Sequence, residues 1–130
     1  MKSKEEIEII AKKIVNAAYE VHKELGPGLL ESVYEFCLID EIRNSGLNVK
    51  SQVRLPVVYK NRTLDKEFII DILVEEEIII ELKSVETLML VHEVQVVTYL
   101  KLANKKLGFL INFNVPLIKE GIKRKINGYW

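Results

Sequence analysis

One cysteine, Cys37, stands in the whole chain, so no internal disulfide can form and no CxxC pair exists. Zinc sites or iron–sulfur clusters built on several thiolates are thereby excluded. Cys37 lies in the apolar run Tyr34–Ile39, where it reads as a small buried hydrophobe. No apolar run approaches the length needed to span a membrane, and the charged stretch Met1–Ile10 is no secretory h-region. A reducing cytoplasm is the expected compartment. There is no linker, repeat or low-complexity stretch, no Gly-rich phosphate loop and no visible aromatic cage for a small ligand. Net charge is lacking too: 19 basic residues balance 19 acidic ones. The chain as a whole is therefore no polyelectrolyte-seeking basic protein.

What is present fits one ordinary globular domain spanning residues 1–130, with 48% apolar and 29% charged residues. The charge is unevenly spread. Asp65–Glu93 carries nine acids against Lys66 and Lys83, whereas Leu102–Trp130 carries six bases against Glu120. An acidic middle beside a basic tail suits a cation-gathering site next to a surface that tolerates phosphates. Two oppositely charged faces of a dimer would look the same.

Ser3 followed by Glu6 is a capping-box signature. Ile7, Ile10, Ile14, Ala17, Val21 and Leu25 then recur at helical spacing, predicting a helix to about Glu24. Gly26-Pro27-Gly28 breaks it. A second helix is predicted from about Leu29 to Asn44, ended at Gly46. β-branched, alternating runs follow. Val49–Tyr59 reads as a strand in which Pro56 marks an edge or a bulge, and Asn61-Arg62 as a turn. Leu64–Val74 and Ile78–Lys83 read as two apolar strands around the loop Glu75-Glu76-Glu77. A third helix from about Thr87 to Ala103, a buried strand Leu107–Asn112 and a half-exposed strand from Ile118 to Ile126 complete the chain. The expected fold is an α/β sandwich around a mixed sheet.

The informative feature is where charges interrupt the apolar strands. Asp71 is alone in Phe68–Val74, and Glu81 and Lys83 interrupt Ile78–Lys83. Residues two apart on a strand share a face, so Glu81 and Lys83 point the same way. With the three glutamates as the loop, Val74 pairs with Ile78 and Asp71 falls opposite Glu81, their Cβ atoms about 5 Å apart. Two carboxylates so close repel unless one is protonated or a cation lies between them. Lys83 offers one positive charge, and a divalent ion bound through oxygens would offer the rest. A solvated Asp–Lys–Glu salt-bridge cluster accounts for the same local pattern equally well.

At these residues the sequence resembles the PD-(D/E)XK nuclease superfamily: Ile70-Asp71, then Glu81-Leu82-Lys83 one strand later. Gln95-Val96-Val97-Thr98-Tyr99 is similar to the QxxxY motif of its RecB-like exonuclease branch. Gly28-Leu29-Leu30-Glu31-Ser32-Val33-Tyr34 resembles the motif of the small GxxExxY family, placed in the same superfamily. The resemblance runs from about Ile14 to Val115 and implies a restriction-endonuclease-like core. It further implies a Mg²⁺- or Mn²⁺-dependent nuclease, most readily acting on DNA. Asp71 and Glu81 would be catalytic metal ligands, Glu31 a third ligand from the helix, and Lys83 the catalytic lysine. Gln95 and Tyr99, an i, i+4 pair on one helix face, would touch the substrate or buttress the site. His92 and His22 are outside the signature and read as structural. The alternative is an inactive nuclease-fold module that binds nucleic acid or a protein partner. So small a domain would need a symmetric partner to grip a duplex, making a homodimer an expectation.

Overall fold

A computed structural model describes residues 2–130. Helix α1 spans Lys4–Leu25 and α2 Glu31–Asn44; strands β1 (Val49–Tyr59), β2 (Arg62–Val74) and β3 (Ile78–Lys83) follow. Helix α3 (Leu90–Ala103), β4 (Leu107–Asn112) and β5 (Ile122–Ile126) close the chain. The five strands form one sheet in the order β1-β2-β3-β4-β5. All neighbours are antiparallel except β3 and β4, which run parallel because α3 carries the chain across between them. This is the expected α/β architecture with a mixed sheet.

Ser3 caps α1 as its sequence predicts: its Oγ accepts from the Glu6 N–H at 3.1 Å, and its own N–H donates to Glu6 Oε1 at 2.9 Å. Ile7, Ile10, Ala11, Ile14, Ala17, Ala18 and Val21 form the buried stripe of α1. Leu25 falls outside it and is exposed: it is the last residue of the helix, which stops at Gly26 with a positive φ of 69°. With α2, this stripe covers one face of the sheet, packing on Ile72, Val74, Ile78, Ile80, Leu82, Phe109 and Ile111. Cys37 is half-buried against the same cluster. On the opposite face α3 contributes Val96 and Leu100 to a smaller cluster with Phe68, Ile70, Leu73, Ile79 and Leu110.

Several predicted boundaries move. Helices α2 and α3 begin at Glu31 and Leu90, later than the apolar spacing suggested. The tight turn falls on Lys60-Asn61, both at positive φ, and Arg62 already belongs to β2. Ile118–Glu120 is a turn of 3₁₀ helix, so Lys119 lies off the strand expected to carry it. The alternation of apolar and basic residues is common to both conformations over so few residues. Pro56 does lie on an edge strand, next to a shift in register between Pro56 and Val58.

Candidate active site

The β2–β3 turn sets the register. Glu75 and Glu76 adopt positive φ, the Glu77 N–H returns to the Val74 carbonyl at 2.9 Å, and Val74 pairs with Ile78. The ladder runs through Ile72↔Ile80 and there it ends. At the next position the strands exchange side chains for backbone. The Asp71 N–H donates to Glu81 Oε2 at 2.8 Å, and Asp71 Oδ2 accepts from the Leu82 N–H at 2.9 Å. The two carboxylates thus stand in the fork where β2 and β3 part, each retaining one oxygen.

An inversion in β1 and β2 explains why the fork opens here. Ile72 and Val74 face α1 and α2, whereas Phe68 and Ile70 face α3. Strict alternation would keep all four on one side. On β1, Val49 faces α1 and α2, but Val53, Leu55 and Val57 face α3. Both strands change face between Ser51↔Ile72 and Val53↔Ile70, at Gln52 and Asp71, with Gln52 in the left-handed region (φ 53°). A non-glycine residue accepts that conformation only where surrounding contacts hold it. Ser51 Oγ and Gln52 Nε2 supply them, donating to the Glu35 carboxylate of α2 at 3.0–3.2 Å.

Glu35 was not singled out in the sequence. It lies one turn beyond Glu31 on the same side of α2, and that i, i+4 spacing was the available signal. Glu31 itself is the exposed first residue of α2 and makes no side-chain hydrogen bond or ion pair among the described residues. Glu35 is the helix carboxylate whose charge reaches Glu81.

Glu81 is buried, with 6% of its surface exposed. Burial pushes its carboxyl up to about 8, and the neighbouring Asp71 carboxylate adds to the rise. The Asp71 N–H and the Lys83 ammonium act the other way without cancelling it. Lys83 is half-buried, shares the Glu81 face of β3, and makes no ion pair among the described residues. A tight Asp–Lys–Glu salt bridge is therefore not what holds the cluster. The Lys83 carbonyl accepts from the Phe113 N–H at 3.1 Å. Beyond it the Asn112 side chain clamps Val85, accepting from its N–H at 3.1 Å and donating to its carbonyl at 2.9 Å.

From the α3 side comes Tyr99, half-buried and tilted against Phe68 with ring centroids 4.9 Å apart. Its hydroxyl is held above the usual tyrosine range by burial first and then by the Glu81 and Asp71 charges, so it lies within their field. Gln95, one turn earlier, is exposed. The two histidines are engaged in the scaffold. His92 Nδ1 accepts from the Met89 N–H at 3.0 Å at the start of α3, and His22 Nε2 donates to the Val115 carbonyl at 2.8 Å.

A sequence model of the PD-(D/E)XK nuclease superfamily matches residues 8–125. The chain belongs to that superfamily. No curated protein and no solved structure matches it. Superfamily members are nucleases that generally use divalent metal ions, and the mixed sheet flanked by three helices is consistent with their fold.

The donor set fits such an ion. Among the described residues no three His, Cys, Asp or Glu side chains converge into a closed cage. Mg²⁺ does not require one: it keeps several waters and is commonly held by one or two carboxylates plus substrate phosphates. A carboxyl raised to about 8 by burial and then by a second carboxylate is a site short of positive charge.

The Gly28–Tyr34 motif has a structural function within this superfamily member. Tyr34 is fully buried and stacks on Phe113 at 4.5 Å. Its hydroxyl donates to the Gly26 carbonyl at 2.6 Å and accepts from the Leu29 N–H at 3.1 Å, pinning the turn that launches α2. Ser84 Oγ, next to Lys83, donates to the Leu29 carbonyl at 2.6 Å and ties that turn to the end of β3.

Proposed function

We propose that this chain is a Mg²⁺- or Mn²⁺-dependent nuclease that hydrolyses phosphodiester bonds in DNA, with Asp71, Glu81 and Lys83 as its catalytic group. The observation that carries the reading is the pair of reciprocal bonds locking Asp71 to Glu81 at the fork, beside an ammonium that makes no ion pair among the described residues. Asp71 and Glu81 would hold the ion, which when bound supplies an activated water and neutralises charge on the phosphoryl oxygens. Lys83 orients the attacking oxygen and stabilises the negative charge that develops. Tyr99 and Gln95, successive turns of α3, bind substrate beside the carboxylates. The motif around Glu31 supports placement in the GxxExxY group, with Glu31 as a ligand from α2 and Glu35 as its competitor.

Cleavage of single- and double-stranded DNA in Mg²⁺, Mn²⁺ and EDTA tests the reading. Asp71→Ala and Lys83→Ala are each expected to lower the rate by at least about a hundredfold. Activity that survives both substitutions places the chemistry elsewhere. Calorimetric Mn²⁺ titration separates the α2 carboxylates: Glu35→Gln is expected to weaken binding more than Glu31→Gln.

A second reading is favoured by one feature of the same pair. Each carboxylate spends an oxygen on a backbone N–H, and a protonated Glu81 needs no cation, so the fork could serve a non-catalytic module that binds nucleic acid or a protein. That reading requires that Mn²⁺ fail to bind. A second copy of the chain is the proposed partner for holding a duplex, checked by sedimentation. No helix among the described residues is long and apolar enough to cross a membrane, and the cytoplasm is the proposed location.

A further inference from the structure

Strands β1 and β2 continue far past the point where β3 leaves them. Strand β3 pairs with β2 only across Ile72–Val74, while β1 and β2 stay paired out to Tyr59↔Arg62. Val53, Leu55, Val57 and Phe68 still pack toward α3. Beyond them Val58–Thr63 and Asp65–Glu67 are exposed. The result is a two-stranded ribbon that starts at the catalytic fork and ends free in solvent. Nine residues separate Asp71 from Arg62, so at about 3.3 Å per residue the ribbon reaches roughly 30 Å from the carboxylates. That approaches one turn of B-form DNA, about 34 Å.

The ribbon's chemistry differs from that of the chain as a whole. Between Val57 and Lys66 it carries Lys60, Arg62 and Lys66 against Asp65 alone, all exposed, in a protein of zero net charge. At the tip Lys60 and Asn61 turn through positive φ, which brings Tyr59 and Arg62 into a cross-strand pair on one face. The Lys60 ammonium lies 5.5 Å from the centroid of the Tyr59 ring. Among the described residues neither cation is held in an ion pair: the salt bridges on this hairpin are Arg54–Glu67, nearer the core, and Lys50–Glu76 at the opposite end.

We propose that this ribbon is a duplex-DNA grip, inserted along a groove so that Lys60 and Arg62 meet phosphates about one helical turn from the bond at the fork. A two-stranded ribbon fits the major groove of B-form DNA, whereas the major groove of an A-form duplex is too deep and narrow. The inference rests on the nuclease reading above and narrows its substrate to double-stranded DNA.

The test measures binding apart from cleavage. Affinity of a 30-base-pair duplex (about three turns) and of a single strand of the same length is followed by fluorescence anisotropy in EDTA across a KCl series. Lys60→Ala with Arg62→Ala is expected to weaken duplex binding about tenfold and to flatten the log–log salt slope by about 1.8, two lost phosphate contacts at about 0.9 each. Single-strand affinity is expected to change far less. Lys60→Glu with Arg62→Glu should deepen the duplex defect. Salt slopes parallel to the parent's, equal losses on both substrates, or no duplex binding by the parent would each overturn the grip. Ribbon-dependent binding without any cleavage in Mg²⁺ would instead sink the nuclease reading and leave the grip standing.

Discussion

At the scale of single residues, Glu81 decides how the fork between β2 and β3 behaves with no cation in it. Its carboxyl sits at about 8 in the fold against an ordinary 4.5. A folded value raised above the unfolded one means stability that is fully present below about 4.5 and lost as pH climbs through 8. The gap corresponds to at most about 5 kcal/mol, an upper bound because local rearrangement and water entry relieve part of it. In EDTA, therefore, the melting temperature is expected to fall from pH 5 to about pH 8 and to level off above it. Glu81→Gln should flatten that slope and exceed the parent's stability at pH 8. Saturating Mg²⁺ or Mn²⁺ should flatten it too, with a proton released on binding that appears as a buffer-dependent heat. A melting temperature independent of pH between 5 and 8 in EDTA would show that the Glu81 carboxyl is not starved of positive charge.

Between residues and the whole lie the elements, and here sequence and structure agree unevenly. The facing of Asp71 and Glu81 was legible, because a three-glutamate loop between two apolar runs leaves one register that pairs Val74 with Ile78. The face change at Gln52 and Asp71 was not. Strand β2 is apolar on both sides around it, so the alternation that normally reports a strand's faces is missing from Phe68 to Val74. Glu35 went unseen for the same reason: its partners Ser51 and Gln52 are brought to it only by that inversion. The late start of β5 has a definite cause in Gly121, whose carbonyl accepts from the Asn112 N–H at 2.9 Å. A Cβ there would sit 2.1 Å from the Asn112 carbonyl oxygen, a backbone atom that cannot swing aside. Gly121→Ala is accordingly expected to cost about 3 kcal/mol by thermal or urea unfolding. Because Asn112 also clamps Val85 just past Lys83, the same change should lower Mn²⁺ affinity. An alanine variant of parent stability would mean that β4 and β5 separate more easily than this close approach allows.

Taken as a whole, the molecule has a thick layer and a thin one. Helices α1 and α2 seal one sheet face with a large cluster in which Ile14, Leu38, Ile42, Ile72, Ile78 and Ile80 are fully buried. On the other face α3 fully buries only Val96 and Leu100, while Leu90, Val91 and Val94 remain 75%, 64% and 52% exposed. Burial of a large aliphatic side chain is worth about 1.5–3 kcal/mol, so the first half of α3 has far less holding it than β3 or α1. Local opening follows such differences, and elements with few buried contacts open well below the global unfolding free energy. Native-state hydrogen exchange should therefore show amides of Val91–Gln95 exchanging at least about a hundredfold faster than those of Ile78–Leu82 and Leu107–Ile111. Equal protection in the two segments would mean that α3 is covered in solution by something outside this chain's own core. The division also sorts the site. Asp71, Glu81 and Lys83 are built on strands anchored by the thick layer, whereas Gln95 and Tyr99 ride on the thin one. Rigid groups at the proposed reacting centre and yielding ones at its rim are what a nuclease site needs if it is to hold fixed carboxylates while admitting a bulky polymer.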